Sequence, residues 1–137
     1  MNATHEAETD TDQHIEDLPC APESAFAARR LVERALVSWG LAGLSDDACL
    51  IISELVANAV RHTNADEIRV SVRRITTCGV RLGVADESRV MPHLGTPRLD
   101  DPRGRGLPLV DALSERWGTD RHPWGKRVWA ELGDDER

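Results

Sequence analysis

The sequence of 137 residues has no apolar run near the roughly 18 residues that a membrane-spanning helix needs. Its first residues, Met1–Glu6, contain neither the basic region nor the apolar region of a secretory signal. Both absences predict a cytoplasmic protein. Cysteine is scarce as well, because only Cys20, Cys49 and Cys78 are present and none belongs to a C-x-x-C pair. This spacing favours neither a disulfide framework nor a zinc site and predicts reduced, partly buried thiols.

Lysine is nearly absent, since the basic residues are 16 arginines and Lys126. The net charge of −7 is uneven: residues 1–17 hold six acids and no base, which leaves 18 acids and 17 bases elsewhere. Direct nucleic-acid binding is therefore not expected. The length suits one domain, which we place at residues 15–133, between a disordered acidic tail at 1–14 and a short tail at 134–137.

Hydrophobic periodicity predicts an α+β fold with a mostly antiparallel sheet and helices on one face. The predicted elements are an edge strand at 14–20, a helix from 22 or 23 to 39, a helix capped by Ser45 and ended by Asn64, strands at 68–73 and 80–84, a long loop at 86–103, a short helix at 107–113, and a hairpin of 115–119 with 126–132. Phe26 and the four tryptophans are assigned to core and hairpin packing, with an exposed partner surface as the alternative for Trp124.

Two polar residues, Glu54 and Asn58, interrupt the apolar second helix four residues apart and therefore share a face. One interpretation is a core polar pair bonded to neighbouring backbone. The other is a nucleotide or metal site, in which Asn58 offers a carbonyl oxygen to Mg²⁺ and Glu54 orients or deprotonates an attacking hydroxyl or water. Arg61 and His62 follow one turn later, where a solvated helix end is the simpler interpretation.

Asp86 ends a predicted strand, where a carboxylate can accept a hydrogen bond from an exocyclic amine such as that of adenine; ordinary turn chemistry is the alternative. Further along, Gly104, Arg105 and Gly106 precede Leu107 at the start of a helix. Glycines at such a place let backbone N–H groups approach a phosphate, and an arginine can pair with its oxygens. A solvated loop arginine explains Arg105 equally well.

The order of these pieces is more specific than any one of them. The segment 50–62, which contains E-L-V-A-N-A, resembles the N-box of the GHKL ATPase superfamily. Residues 84–88 resemble its first glycine box, and 104–110, which begin G-R-G-L, resemble the second. The ending at 124–132 is similar to the closing hairpin of the bacterial anti-sigma-factor, serine-kinase-like subgroup. The resemblance covers roughly residues 20–132.

This resemblance implies a two-layer α/β sandwich, the Bergerat fold, that binds ATP with Mg²⁺. It implies that Asn58 is the Mg²⁺ ligand, Glu54 the general base and Asp86 the adenine contact. The remaining nucleotide-binding positions that it implies are Arg61, Ser88, Gly104, Arg105, Gly106 and Leu107. Ser88 stands where the first glycine box has glycine, which favours a lower nucleotide affinity.

Stand-alone domains of this subgroup bind a sigma factor or phosphorylate a serine on an anti-anti-sigma (STAS-type) partner. The resemblance therefore implies an anti-sigma factor with serine/threonine kinase activity. The alternative is a non-catalytic module that binds the sigma factor or its antagonist with weak or structural ATP binding. A general ATPase-fold domain acting on another protein is a third hypothesis. Relatives often pair as dimers, so a homodimer is among the expected assemblies.

Overall fold

The computed structural model of the protein describes residues 12–86 and 107–133. In chain order the elements are β1 (Gln13–Pro19), α1 (Ser24–Ser38), a 3₁₀ turn (Ala42–Leu44), α2 (Ser45–His62), β2 (Glu67–Arg74), β3 (Val80–Asp86), α3 (Leu107–Leu113), β4 (Arg116–His122) and β5 (Gly125–Leu132). Each helix and strand predicted within these residues is confirmed, with small shifts at the ends. No helix in the two described ranges has the length and apolar character to cross a bilayer.

The five strands form one sheet in the order β1-β2-β3-β5-β4, and every pairing among the described strands is antiparallel. Helices α1 and α2 pack together, and both contact the same sheet. Strand β2 shows why one face is covered: Ile68, Val70 and Val72 are buried, while Arg69 and Arg73, of the opposite parity, are exposed. The predicted α+β two-layer sandwich is therefore confirmed.

The core lies between this inner face of the sheet and the two long helices. Helix α1 contributes a row of buried side chains at helical spacing. The strand residues that face inward are almost all valine, leucine, isoleucine or alanine. The largest fully buried side chains are Leu36, Ile51, Ile52, Leu55, Ile68, Leu82, Val32, Val56, Val70, Val72, Val80 and Val110. This packing fixes α2 against β3, the two elements that carry the predicted site.

Two local predictions are wrong. Ser45 was expected to cap α2, but the 3₁₀ turn Ala42–Leu44 runs directly into the helix, so Leu44 precedes it and no side chain caps it. Asp46 and Asp47 still place negative charge in the first turn, where the helix dipole favours it. Phe26 was assigned to the core, but its side chain is 59 % exposed, because it lies on the solvent side of α1.

The expectations for the cysteines and for Trp39 are confirmed, whereas Trp124 follows the exposed alternative. All three cysteines are free thiols and partly buried. Trp39 is buried at the end of α1, where His14 of β1 meets its ring edge-on at 5.5 Å. Trp124, at the tip of the β4–β5 hairpin, is 40 % exposed and stacks on His122.

Candidate functional site

Helix α2 carries the two polar residues singled out in the sequence. Asn58 is 6 % exposed, and Glu54, one turn earlier on the same face, is partly buried. Ser53 accepts a hydrogen bond from Arg29 of α1 at 3.1 Å, which ties this turn of α2 to α1. Neither Glu54 nor Asn58 has a side-chain hydrogen bond to the described parts of the chain. The core-pair interpretation, which required backbone partners for both side chains, therefore finds no support in these residues.

Asp86 is the last residue of β3 and is only 3 % exposed. Strand residues alternate between faces, and Val84 and Leu82 of the same parity are in the core. The carboxylate of Asp86 therefore lies on the side of the sheet that the helices cover. A buried aspartate at the end of a strand, beside a helix with a buried asparagine, is typical of a binding site more than of a turn.

The chain topology brings these residues to one end of the protein. Helix α2 ends at His62, and β2 begins five residues later at Glu67. Ile68, the second residue of β2, is directly opposite Asp86 in the sheet. The last turns of α2 and the last residue of β3 consequently lie at the same end, which we call the β3 end.

Cys20, which follows β1, also lies at the β3 end. Its backbone N–H donates to the carbonyl of Asp66 at 2.9 Å. Burial raises the pKa of the Cys20 thiol, and the nearby carboxylates of Asp86 and Asp66 raise it further. Pro19, the residue before Cys20, pairs with Glu67, and the next residue, Ile68, pairs with Asp86, so Cys20 lies close to the candidate site. The sequence did not single out Cys20 for function, because its proximity to Asp86 depends on the pairing of β1 with β2.

Helix α3 closes the arrangement by packing against α2. Leu107 and Val110 are its buried residues, and Pro108 occupies the first turn, where a missing N–H has no helical partner to lose. The helix ends where Ser114 donates from both its N–H and its hydroxyl to the carbonyl of Val110. Of the predicted phosphate-binding residues, Leu107 is thus placed, whereas Ser88, Gly104, Arg105 and Gly106 lie outside the described residues.

The remaining predicted residue, Arg61, is exposed in the last turn of α2, next to His62. Its guanidinium complements the helix dipole there, so the structure does not by itself distinguish a solvated helix end from a phosphate contact. Across residues 12–86 and 107–133, no three His, Cys, Asp or Glu side chains come together as a metal cage. Mg²⁺ commonly uses one or two protein oxygens together with substrate phosphates and water, and the amide oxygen of Asn58 fits that requirement.

The arrangement therefore combines one buried carboxylate, one buried amide and one partly buried carboxylate at the β3 end of the sandwich. Such a set can accept hydrogen bonds from an amine, donate an oxygen to a hard cation and accept a proton from a hydroxyl. A sequence model of the histidine kinase-like ATPase domain matches residues 18–132 of the chain. The chain belongs to this family. No curated protein shows significant similarity to it.

The histidine kinase-like ATPase match runs from the last residues of β1 to the end of β5 and so includes α2, the end of β3 and α3. Membership supports the resemblance to the GHKL superfamily and implies an ATP site, usually with Mg²⁺.

Proposed function

We propose that the chain binds Mg-ATP at the β3 end and acts as a regulatory protein of the anti-sigma-factor type. The observation that carries the ATP site is the convergence of Asn58 and Asp86, both almost completely buried, on one end of the sandwich. The amide of Asn58 has no hydrogen-bond partner among the residues described, so it is available to a ligand. A bound nucleotide with its metal ion would supply that partner.

Each side chain has one role in this proposal. Asp86 accepts a hydrogen bond from the exocyclic amine of adenine, and the amide oxygen of Asn58 contacts Mg²⁺. By resemblance, Gly104 and Gly106 bring backbone N–H groups to the phosphates, with Arg105 beside them. Bound Mg²⁺ would neutralise charge on the phosphates during transfer.

We further propose that the chain is a serine/threonine kinase toward an anti-anti-sigma partner. The partner's hydroxyl oxygen bonds to the γ-phosphorus, the bond from that phosphorus to the β–γ bridging oxygen breaks, and ADP leaves. The hydroxyl proton passes to a carboxylate oxygen of Glu54. Glu54 suits this role because it is partly buried, has no partner among the described residues and lies one turn from Asn58.

Calorimetric titration with Mg-ATP tests the nucleotide site. The wild-type chain is expected to bind, and Asn58→Ala to lose detectable binding. Asn64→Ala is the matched control, since Asn64 is exposed just beyond the same helix. Equal affinities of wild type and Asn58→Ala would remove Asn58 from the site.

Transfer of radiolabelled phosphate from ATP to purified STAS-domain proteins tests the kinase. Glu54→Gln is expected to keep ATP affinity while the transfer rate falls by about 10²–10⁴-fold, the usual effect of losing a general base. Glu67→Gln, an exposed glutamate at the same end, should transfer phosphate at the wild-type rate. Unchanged transfer by Glu54→Gln would exclude it as the base.

The non-catalytic alternative is favoured by a separate observation on α1. Phe26 is 59 % exposed, and the guanidinium groups of Arg29 and Arg30 lie 5.9 and 5.7 Å from its ring centre. Exposed aromatic and arginine side chains are enriched where proteins dock. This alternative predicts that a purified sigma factor binds the chain without nucleotide and that Phe26→Ser weakens the complex. Val37→Ser, at a 64 % exposed position on the same helix, should not.

A further inference from the structure

We infer that Lys126 is a base-reading residue of the nucleotide site, in which its ammonium group donates a hydrogen bond to N1 of adenine beside Asp86. This inference rests on the proposed ATP site and adds a residue to it. Lys126 is the second residue of β5 and lies directly opposite Asp86 of β3 in the sheet. Directly opposed residues have Cβ atoms about 4.5–5.5 Å apart and share a face of the sheet.

The shared face is the inner one. Along β5 the buried residues Val128 and Ala130 alternate with Arg127 and Trp129, so Lys126 has the parity of the core residues. It is partly buried, and it is the one lysine of the chain. Arg127, the next residue, has the opposite parity and pairs with Ala85 on the outer face.

The charge of the neighbouring strand β4 also favours a Lys126 side chain that is directed toward Asp86. Arg121 of the edge strand β4 is its other cross-strand neighbour. Like charges that face each other across strands repel, whereas opposite charges attract. The ammonium group therefore has a repulsive neighbour on β4 and an attractive one, Asp86, on β3.

As direct cross-strand neighbours on one face of the sheet, the Asp86 carboxylate and the Lys126 ammonium can present an acceptor next to a donor. The Watson–Crick edge of adenine presents the complementary pair, with the N6 amine as donor and N1 as acceptor. With Asp86 accepting from N6, Lys126 is placed to donate to N1. Hypoxanthine and guanine reverse this pattern, because they carry an oxygen at position 6 and a hydrogen on N1.

Calorimetric titrations of wild type, Lys126→Met and Arg127→Met with ATP and with 1-deaza-ATP test the inference. In 1-deaza-ATP a C–H group replaces N1, which removes only that acceptor. Wild type and Arg127→Met are expected to bind 1-deaza-ATP about 10- to 100-fold more weakly than ATP, the scale of a hydrogen bond from a charged donor. Lys126→Met should bind both nucleotides with the same, weaker affinity.

Three results would overturn the inference while leaving the ATP site intact: equal affinity of wild type for the two nucleotides, tighter ATP binding by Lys126→Met, or preference of wild type for inosine triphosphate. The second would mean that Lys126 neutralises Asp86 and competes with the base. Absence of any ATP binding by wild type would instead overturn the proposed site and this inference together. The wild-type comparison needs no variant, so it decides even if Lys126→Met does not fold.

Discussion

Glu131 on the outer face of the sheet and Asn58 on α2 are almost equally buried, at 2 % and 6 % exposed. The carboxylate of Glu131 accepts four hydrogen bonds, two from Arg81 and two from Arg116, with lengths of 2.6–3.1 Å. The amide of Asn58 accepts and donates none within the described residues. The carboxylate of Glu131 is thus bound by side chains of the described fold, whereas the amide of Asn58 makes no bond to them and is available to a ligand, which separates a structural role from a binding role.

The surroundings of Glu131 explain how a carboxylate becomes buried on the open face of a sheet. Arg81 stacks on Trp129 at 4.4 Å from the ring centre. The Trp129 ring in turn covers Gly118 so closely that a Cβ there would lie 2.9 Å from a ring carbon. Strands β3, β5 and β4 are therefore held together by charge and ring contacts on the side of the sheet that none of the three described helices covers. Burial opposes ionisation, but hydrogen bonds from Arg81 and then Arg116 outweigh it and lower the pKa of Glu131.

The largest expected effect concerns Asn58→Leu. At a free Mg-ATP concentration of 100 Kd, ligand binding should raise the free energy of unfolding of the wild type by about 2.7 kcal/mol. The variant should show no such rise. Without nucleotide it should be as stable as wild type or more so, because an apolar side chain replaces an amide with no described partner. Urea titrations with and without Mg-ATP measure both quantities, and a large loss of stability in the nucleotide-free variant would assign Asn58 a structural role.

The matched change on the outer face, Glu131→Leu, should behave in the opposite way. It should lower the free energy of unfolding by about 2 kcal/mol, since it removes hydrogen bonds to a charged group but leaves Arg116 well hydrated at 67 % side-chain exposure. Mg-ATP affinity should not change. A loss of affinity in this variant would show that the two regions are coupled.

Protonation of Glu131 at low pH should lower the free energy of unfolding by less than deleting its carboxylate does. Protonation removes the charge but leaves the group in place. The pKa of Glu131 is lowered in the folded protein, so the unfolded chain binds its proton first as the pH falls. Its contribution to stability is fully present above the ordinary value of 4.5 and is lost below it as the pH falls through the folded value. Urea titrations between pH 3 and pH 7 should therefore show a shallower acid slope for Glu131→Gln than for wild type.

The smallest expected effects are losses of stability when Arg81 or Arg116 is replaced, and the more exposed arginine should matter less. Arg81→Met should cost about 1 kcal/mol, because this side chain is 35 % exposed and also stacks on Trp129. Arg116→Met should cost about 0.5 kcal/mol or less. Asp17→Asn, which breaks the exposed pair with Arg69, provides a surface reference of similar size. Thermal unfolding of the three variants checks the order, and an Arg116 effect as large as that of Arg81 would contradict it.

Much of the fold could be predicted because its signals are local. The alternation in β2 and β3 and the apolar length of α2 each depend on neighbouring residues, and the short helix from Leu107 to Leu113 was predicted to the residue. The N-cap prediction at Ser45 was wrong because a 3₁₀ turn preceding a helix leaves no capping pattern in the sequence. Phe26 was misassigned because its position fits helical periodicity only roughly, and one aromatic residue does not reveal which side it faces.

The candidate site was predictable only in part. Glu54 and Asn58 are close in sequence, so their shared face follows from helix geometry. The juxtaposition of Asp86 with Lys126 depends on the pairing of β3 with β5, 40 residues apart in the chain. The partners of Glu131 likewise come from positions 50 and 15 residues away. Such contacts are set by strand order and register, which periodicity alone does not determine.

The strand order also constrains how the protein is made. Among the described strands β5 is the last to be synthesised, yet it lies inside the sheet, between β3 and β4. Until its residues have left the ribosome, β3 has an open edge and Val84 and Leu82 lack the inward neighbours Val128 and Ala130. Closure of this sheet must therefore wait until β5 has emerged, and the growing chain presents one open edge of the central strand β3 until that moment.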